Sequence, residues 1–293
     1  MFDYAPPLEQ IAPVRRRFPA RACDSHCHIF GPSAVFPFAE KRPYTPPDAP
    51  FEKLQAMHDK LGISRTVLVQ AACHGYDMSA VLAAIAGSRG QCRGVALLAP
   101  DVSAGEIKRL HEGGIRGARF HFMSHLAGTT REEVEHIAGL IAVHGWHICV
   151  HGDEASVISV LPWFTSLNVP FVVDHMARVS ADKGVENPNF QALLDLKNHP
   201  GAWVKISGID RVSSSGKRPF ADGRPLMRAL IEHMPDQLLW GTDWPHPRVQ
   251  GDMPDDGDSA NTLLDLCSDQ AVLERILVAN PQALYGFDEE VRA

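Results

Sequence analysis

The sequence predicts a (β/α)8 barrel built as one domain over residues 1–293, on three observations. Short apolar runs rich in Val, Ile and Leu recur along the chain, amphipathic stretches separate them, and polar residues gather where several of the runs end. Strands buried on both faces read as near-continuous apolar runs, and helices with apolar residues at three-to-four spacing cover such a sheet. A chain of 293 residues with 45% hydrophobic content is long enough for one large core.

Eight candidate strands can be counted, at 22–30, 66–71, 94–99, 117–122, 147–151, 170–175, 202–207 and 238–244. Helical periodicity falls at 51–61, 78–88, 104–112, 131–143 and 189–198, and the stretch 259–284 is helical in pattern and closes the outer ring. The segment 31–50 is too rich in proline for a helix interior and is expected to be an extended loop over one barrel end. A second long loop is expected at 213–224, and residues 1–20 form an N-terminal extension. The alternative is a doubly wound open sheet, which the absence of GxGxxG after the first strand weakens.

Thirty-five acidic residues against 28 basic ones give a formal charge of -7, so no basic field exists to hold a phosphate backbone and nucleic acid is excluded as a partner. Arg15-Arg16-Arg17 is followed by Phe18-Pro19-Ala20-Arg21 rather than by an apolar stretch, which argues against a twin-arginine leader. No segment approaches the ~20 apolar residues of a membrane span. The six cysteines are scattered without CxxC pairs. Reduced, buried thiols in a cytoplasmic protein are the expectation.

Asp24-Ser25-His26-Cys27-His28 ends the first strand, and alternate strand residues point the same way, so His26 and His28 share a face. His151, His175 and Asp243 close strands five, six and eight. A lone strand-end histidine is ordinarily a satisfied core residue. Five such groups at strand C-termini are better explained by the barrel mouth where active sites sit. His74, His246 and Arg248 lie just past strand ends and are pocket candidates, whereas His111, His136, His144, His199 and His233 fall in helix-like stretches and are read as solvated or capping.

The strand-end set resembles that of the amidohydrolase superfamily. Within it, Asp24 to Pro32, Gln70-Ala71-Ala72-Cys73-His74-Gly75, Arg116-Gly117-Ala118-Arg119-Phe120 and Trp240 to Pro247 resemble the 2-pyrone-4,6-dicarboxylate lactonase group, whose near relatives include 4-sulfomuconolactone hydrolases and sugar lactonases. The resemblance implies hydrolysis of lactones formed in bacterial breakdown of aromatic compounds, with Asp243 as general base. It also implies that Arg119, Arg178, Arg211 and Tyr44 bind a small anionic substrate. Three positions depart from the group: His151 replaces a tyrosine, His125 replaces a second arginine clamp, and Ala72 replaces a serine. They favour a differently substituted lactone, such as one carrying a carboxylate and a sulfonate.

Neutral imidazoles and a carboxylate suit Zn²⁺, so His26, His28, His151 and Asp243 could hold one divalent ion with a position left for water. His175 is then free to hydrogen-bond the lactone carbonyl or the attacking water. Strand four shows no lysine or glutamate to bridge two metals. A metal-free variant remains open, with His26 and His28 orienting water and Asp243 still the base. The rival readings are a metal-dependent decarboxylase or lyase of an unsaturated acid, a lactone isomerase, and a binding protein without catalysis.

Overall fold

The computed structural model describes residues 2–123, 129–249 and 251–288. All eight strands form: β1 (Cys23–Cys27), β2 (Arg65–Val69), β3 (Cys92–Ala96), β4 (Ile115–Phe122), β5 (His147–Gly152), β6 (Phe171–Val173), β7 (Ala202–Lys205) and β8 (Leu238–Leu239). They are parallel and hydrogen-bonded in sequence order. Strand β8 is only two residues long, so the ring closes through the segment after it. Ser25 N–H donates to the Trp240 carbonyl at 2.9 Å, Asp243 N–H to His26 at 2.8 Å and His28 N–H to Trp244 at 2.7 Å.

The inner faces of the strands supply Val67, Val69, Val95, Cys149, Val172 and Leu239, and Tyr285 and Phe287 pack against them. Arg65 and Arg93 lie over the Phe287 ring at 5.1 and 4.9 Å, which fixes the C-terminal segment beside the first residues of β2 and near the start of β3. Helices cover the outside. Those at Phe51–Leu61 and Ala104–Glu112 match the sequence periodicity, and Arg131–Ala142 begins with a Thr130/Glu133 capping box.

Two of the longer helices were not expected from periodicity. Glu154–Phe164 contains Pro162 and the β-branched residues Val157, Ile158 and Val160, features that favour a strand or a break, yet Asp153 caps it and Val157, Leu161 and Phe164 bury one face. Arg224–His233 starts within the expected loop, with Pro225 in its first turn. The 259–284 stretch is broken into Asp256–Leu266, Gln270–Glu274, a π-turn at Arg275–Ala279 and Asn280–Tyr285.

The strand ends depart most from expectation, and they do so where the polar residues sit. After β6 the chain leaves the sheet and His175, Met176, Ala177 and Arg178 all take left-handed backbone angles (φ 50–55°). Asp243 (φ 61°), His246 (φ 60°) and Arg248 (φ 54°) do the same after β8. L-residues avoid this region at a cost of about 1–2 kcal/mol each, so the turns persist because surrounding contacts enforce them. The N-terminal extension is pinned at several points, among them Ala12 N–H to Asp255 Oδ1 (2.9 Å) and Asp3 N–H to the Thr45 carbonyl (3.0 Å). All six cysteines are buried and free. No helix among the described residues is long and apolar enough to cross a membrane.

Candidate active site

A cavity of about 280 Å³ opens at the C-terminal ends of the strands, bordered by His28, Tyr44, Ala72, Arg119, His121, His151, His175, Arg178, Arg211, Asp243 and Arg248. A larger hollow of about 430 Å³ adjoins it through Ala72, Arg119 and His121.

Asp243 Oδ1 is the point on which the imidazoles converge. His28 donates from Nδ1 to the Val69 carbonyl at 2.8 Å, because a carbonyl can only accept, and this turns its Nε2 to Asp243 Oδ1 at 3.2 Å. His26 Nε2 and His175 Nε2 lie 3.6 and 3.8 Å from the same oxygen. The other carboxylate oxygen is held by Arg211, through Nε at 3.1 Å and Nη2 at 2.8 Å. Arg211 also pairs with Asp210 and donates to the Pro247 carbonyl. Burial pushes the Asp243 carboxyl up, but Arg211, His175 and His28 outweigh it and hold the group well below the usual carboxylate range. Asp243 is therefore an ionised, aimed and weak base.

Beneath this point lies a second buried carboxylate, Asp174. Lys205 Nζ reaches its Oδ1 at 3.1 Å, and Arg119 reaches its Oδ2 through Nε at 3.2 Å and Nη2 at 3.1 Å. Burial raises the Asp174 carboxyl while Lys205, His26 and Arg119 lower it further, so it too is ionised. His26 Nδ1 stands between Lys205 Nζ (2.9 Å) and Asp174 Oδ1 (3.2 Å). Lys205 can donate to a bare Nδ1, and Asp174 can accept from an Nδ1–H, so either tautomer of His26 finds a partner.

The two halves of the site are tied by Asp24, which is fully buried. Its Oδ1 accepts from His26 N–H (3.0 Å) and Thr242 N–H (3.1 Å), and its Oδ2 takes the Thr242 hydroxyl (2.6 Å) and His58 Nε2 (2.9 Å). The strand-one motif and the strand-eight aspartate are thus registered by one carboxylate. Gly241 is required in this clasp, since a Cβ there would meet His26 N at 2.5 Å and Asp24 Oδ1 at 2.9 Å.

His175 Nδ1 lies 3.0 Å from Ser207 Oγ, and burial lowers its pKa to about 4, so the ring is neutral near pH 7. Burial and the neighbouring Arg119 keep His151 neutral as well. Tyr44, against Phe30 and on the cavity wall, is held protonated by burial and can only donate or accept as a phenol.

Among the described residues, ligand atoms of His26, His28 and Asp243 lie within 4.8 Å of one another, as do those of His26, Asp174 and His175. His151 enters no such group: its Nδ1 is 3.7 Å from Asp174 Oδ2, and its ring faces His121 and His175 at 5.3 and 5.7 Å. Residues Asp24, Cys27 and His58 also cluster, but the Asp24 oxygens are occupied by the clasp. The first group fits a cation. With Nδ1 turned to the Val69 carbonyl, His28 aims Nε2 at Asp243 Oδ1 at 3.2 Å, and the buried His26 Nε2 has no hydrogen-bond partner among the described residues. Lone pairs facing one another at this range repel unless a proton or metal lies among them.

Of the other expected substrate contacts, Arg178 borders the cavity and makes no hydrogen bond or ion pair among the described residues. His74 lies off the wall: its Nε2 accepts from Gly31 N–H at 3.3 Å and its ring packs on Phe38, so it pins the proline-rich loop. His246 is buried against Asp256 at 3.2 Å, behind the wall. His125 falls outside the described residues. Sequence reasoning missed His121, Asp174 and Lys205. His121 shares a strand face with Arg119 by the two-residue alternation, and Lys205 is a charge inside an apolar strand; both signals were available.

The amidohydrolase family profile matches residues 23–287. The chain is 40% identical to a 2-pyrone-4,6-dicarboxylate hydrolase of Comamonas testosteroni over 93% of its length and 92% of the relative's. It is 37% identical to a 4-sulfomuconolactone hydrolase of Hydrogenophaga intermedia, over 96% and 93% respectively. Among solved structures, a putative 2-pyrone-4,6-dicarboxylic acid hydrolase from Pseudomonas putida superposes with a TM-score of 0.81 at 28% identity, over 93% of this chain and all of that one. With the profile spanning the whole barrel and the strand-end histidines and Asp243 inside the matched region, the chain belongs to the amidohydrolase family.

Proposed function

We propose that this protein is a lactonase that opens a small anionic lactone of the 2-pyrone-4,6-dicarboxylate or 4-sulfomuconolactone type. The observation that carries this reading is one cavity in which Asp243 Oδ1 meets three imidazole nitrogens while the Arg178 guanidinium, held by no hydrogen bond or ion pair among the described residues, borders the same space. A guanidinium pairs bidentately with carboxylate or sulfonate and stays charged near neutrality. The relatives named above act on lactones with such groups by their names.

In this reading Arg178 and the Tyr44 phenol bind the anionic end. Neutral His175 donates from Nε2 to the lactone carbonyl oxygen, supported at Nδ1 by Ser207. Asp243 Oδ1 takes the proton of the attacking water as its oxygen bonds the carbonyl carbon, and returns that proton to the ring oxygen as the C–O bond breaks. Because Arg211 keeps Asp243 weakly basic, the water must be acidified for this transfer to be efficient. A divalent ion, with zinc the first choice for an imidazole–carboxylate set, would be held by His26, His28 and Asp243 and would supply that acidification and polarise the carbonyl. His151 then faces the substrate. The buried free thiols and the lack of a membrane-crossing helix among the described residues support the cytoplasmic location expected from the sequence.

The test is hydrolysis of a lactone panel, including both named compounds, by protein as purified, chelator-treated and resupplied with Zn²⁺. Opening of at least one anionic lactone is expected, with activity lost on chelation and recovered with zinc. Asp243→Asn should lower kcat by about 10²–10⁴-fold with substrate binding retained. Turnover unchanged in Asp243→Asn would overturn the base assignment, and no opening of any lactone would overturn the function.

A further inference from the structure

We propose that Arg248 is a second anion anchor of the cavity, serving substrates that carry two negative groups; this rests on the reading of the site as one for anionic lactones. Four guanidinia border the cavity, and they divide into two pairs. Arg119 is engaged by Asp174, and Arg211 by Asp243 and Asp210. Arg178 and Arg248 make no hydrogen bond or ion pair among the described residues. The partly buried Arg178 and the exposed Arg248 therefore bring to the cavity border two guanidinia that no carboxylate among the described residues holds at ion-pair distance. That is the complement of a dianion.

Arg178 sits in the left-handed turn after β6, and Arg248 (φ 54°) in the one after β8 that also carries Asp243 (φ 61°). The segment that carries Arg248 is firmly held. His246 N–H donates to the Asp243 carbonyl at 2.7 Å, and Arg211 Nη2, which grips Asp243, donates at 3.0 Å to the carbonyl of Pro247, the residue before Arg248. The Arg248 backbone is thereby held in register with the base, so a substrate group bound by its guanidinium is placed relative to Asp243.

Two ring acids test this without requiring turnover. Benzene-1,3-dicarboxylate and benzoate are titrated into the full-length protein and into Arg248→Gln and Arg248→Lys by calorimetry. Wild type should prefer the dicarboxylate by tenfold or more, the scale of one charge-assisted hydrogen-bonded pair. Arg248→Gln should bring that preference below about threefold, and Arg248→Lys should recover part of it. A preference retained in Arg248→Gln, or none in wild type, overturns the proposal. Because these acids are not lactones, a normal result here alongside an inert lactone panel would leave the anchor standing and remove the lactonase reading instead.

Discussion

Replacing Lys205 by methionine removes a charge from the most buried ionic cluster in the protein. The ammonium is fully inaccessible and lies 3.1 Å from Asp174 Oδ1 and 2.9 Å from His26 Nδ1. Removing one member of a buried pair costs about 3–5 kcal/mol, since the remaining ion is left uncompensated. Here Arg119 still reaches Asp174 Oδ2 with two nitrogens, which puts the expected loss at the low end, about 3 kcal/mol. With an unfolding entropy of about 2.1 cal/mol/K per residue, a chain of this length loses roughly 5 °C in Tm for that amount. Asp174→Asn leaves Lys205 and Arg119 facing a neutral amide and should cost more. The double variant should cost at least 1.5 kcal/mol less than the sum of the two singles, the range expected for residues in direct contact. Thermal melts of all four proteins, with denaturant unfolding as a second measure, supply the cycle. A Lys205→Met protein within about 1 kcal/mol of wild type, or strictly additive variants, would refute the view that Asp174 depends on this cation.

Three further outcomes are expected. Asp24→Ala deprives two backbone N–H groups, a hydroxyl and His58 of their acceptor, and at about 1–3 kcal/mol per stranded group it should cost several kcal/mol and lower kcat more than it raises KM; Asp24→Asn, which keeps an acceptor at Oδ1, should recover most of both, and equal damage from the two would sink the clasp. Stability should fall as the pH drops from about 6.5 toward 4. Burial lowers His121 and His147 to about 3 and His175 to about 4, so the unfolded chain takes up these protons first, and each group contributes up to about 1.4 kcal/mol per pH unit; a Tm flat between pH 7 and 5 would contradict this. Below that window Asp174 and Asp243, both held low, add to the loss as they protonate. Gly241→Ala should abolish folding or activity, because the methyl meets the β1 backbone rather than a flexible side-chain tip; a stable, active variant would show that the β1–β8 seam can open.

The sequence by itself determined the barrel and the strand ends at which its candidate site residues stand, because both are written in short-range patterns. Apolar runs, helical periodicity and the capping of individual helices are local properties, and a parallel β/α alternation of eight units leaves few arrangements other than a closed ring. The same logic placed His26, His28, His151, His175 and Asp243 at one end, since every strand of a barrel ends on the same face. Tertiary structure alone decided what those groups touch. Arg119 and Arg211 read in sequence as free anion binders; in the fold each is held by a carboxylate more than 30 residues away, Asp174 and Asp243. His74 read as a pocket residue and instead pins a loop, and His151 read as a ligand but lies with Asp174 and His121. Asp174 carried no local sign of its pairing, whereas Lys205 was legible as a charge inside an apolar strand, though its partner was not. Whether a buried charge is free, paired or structural depends on which partners lie within about 4 Å in space, because Coulomb energy and desolvation change steeply at that range. Strand order fixes which ends meet, whereas pairing is set by the left-handed turns after β6 and β8, whose backbone angles no local propensity favours.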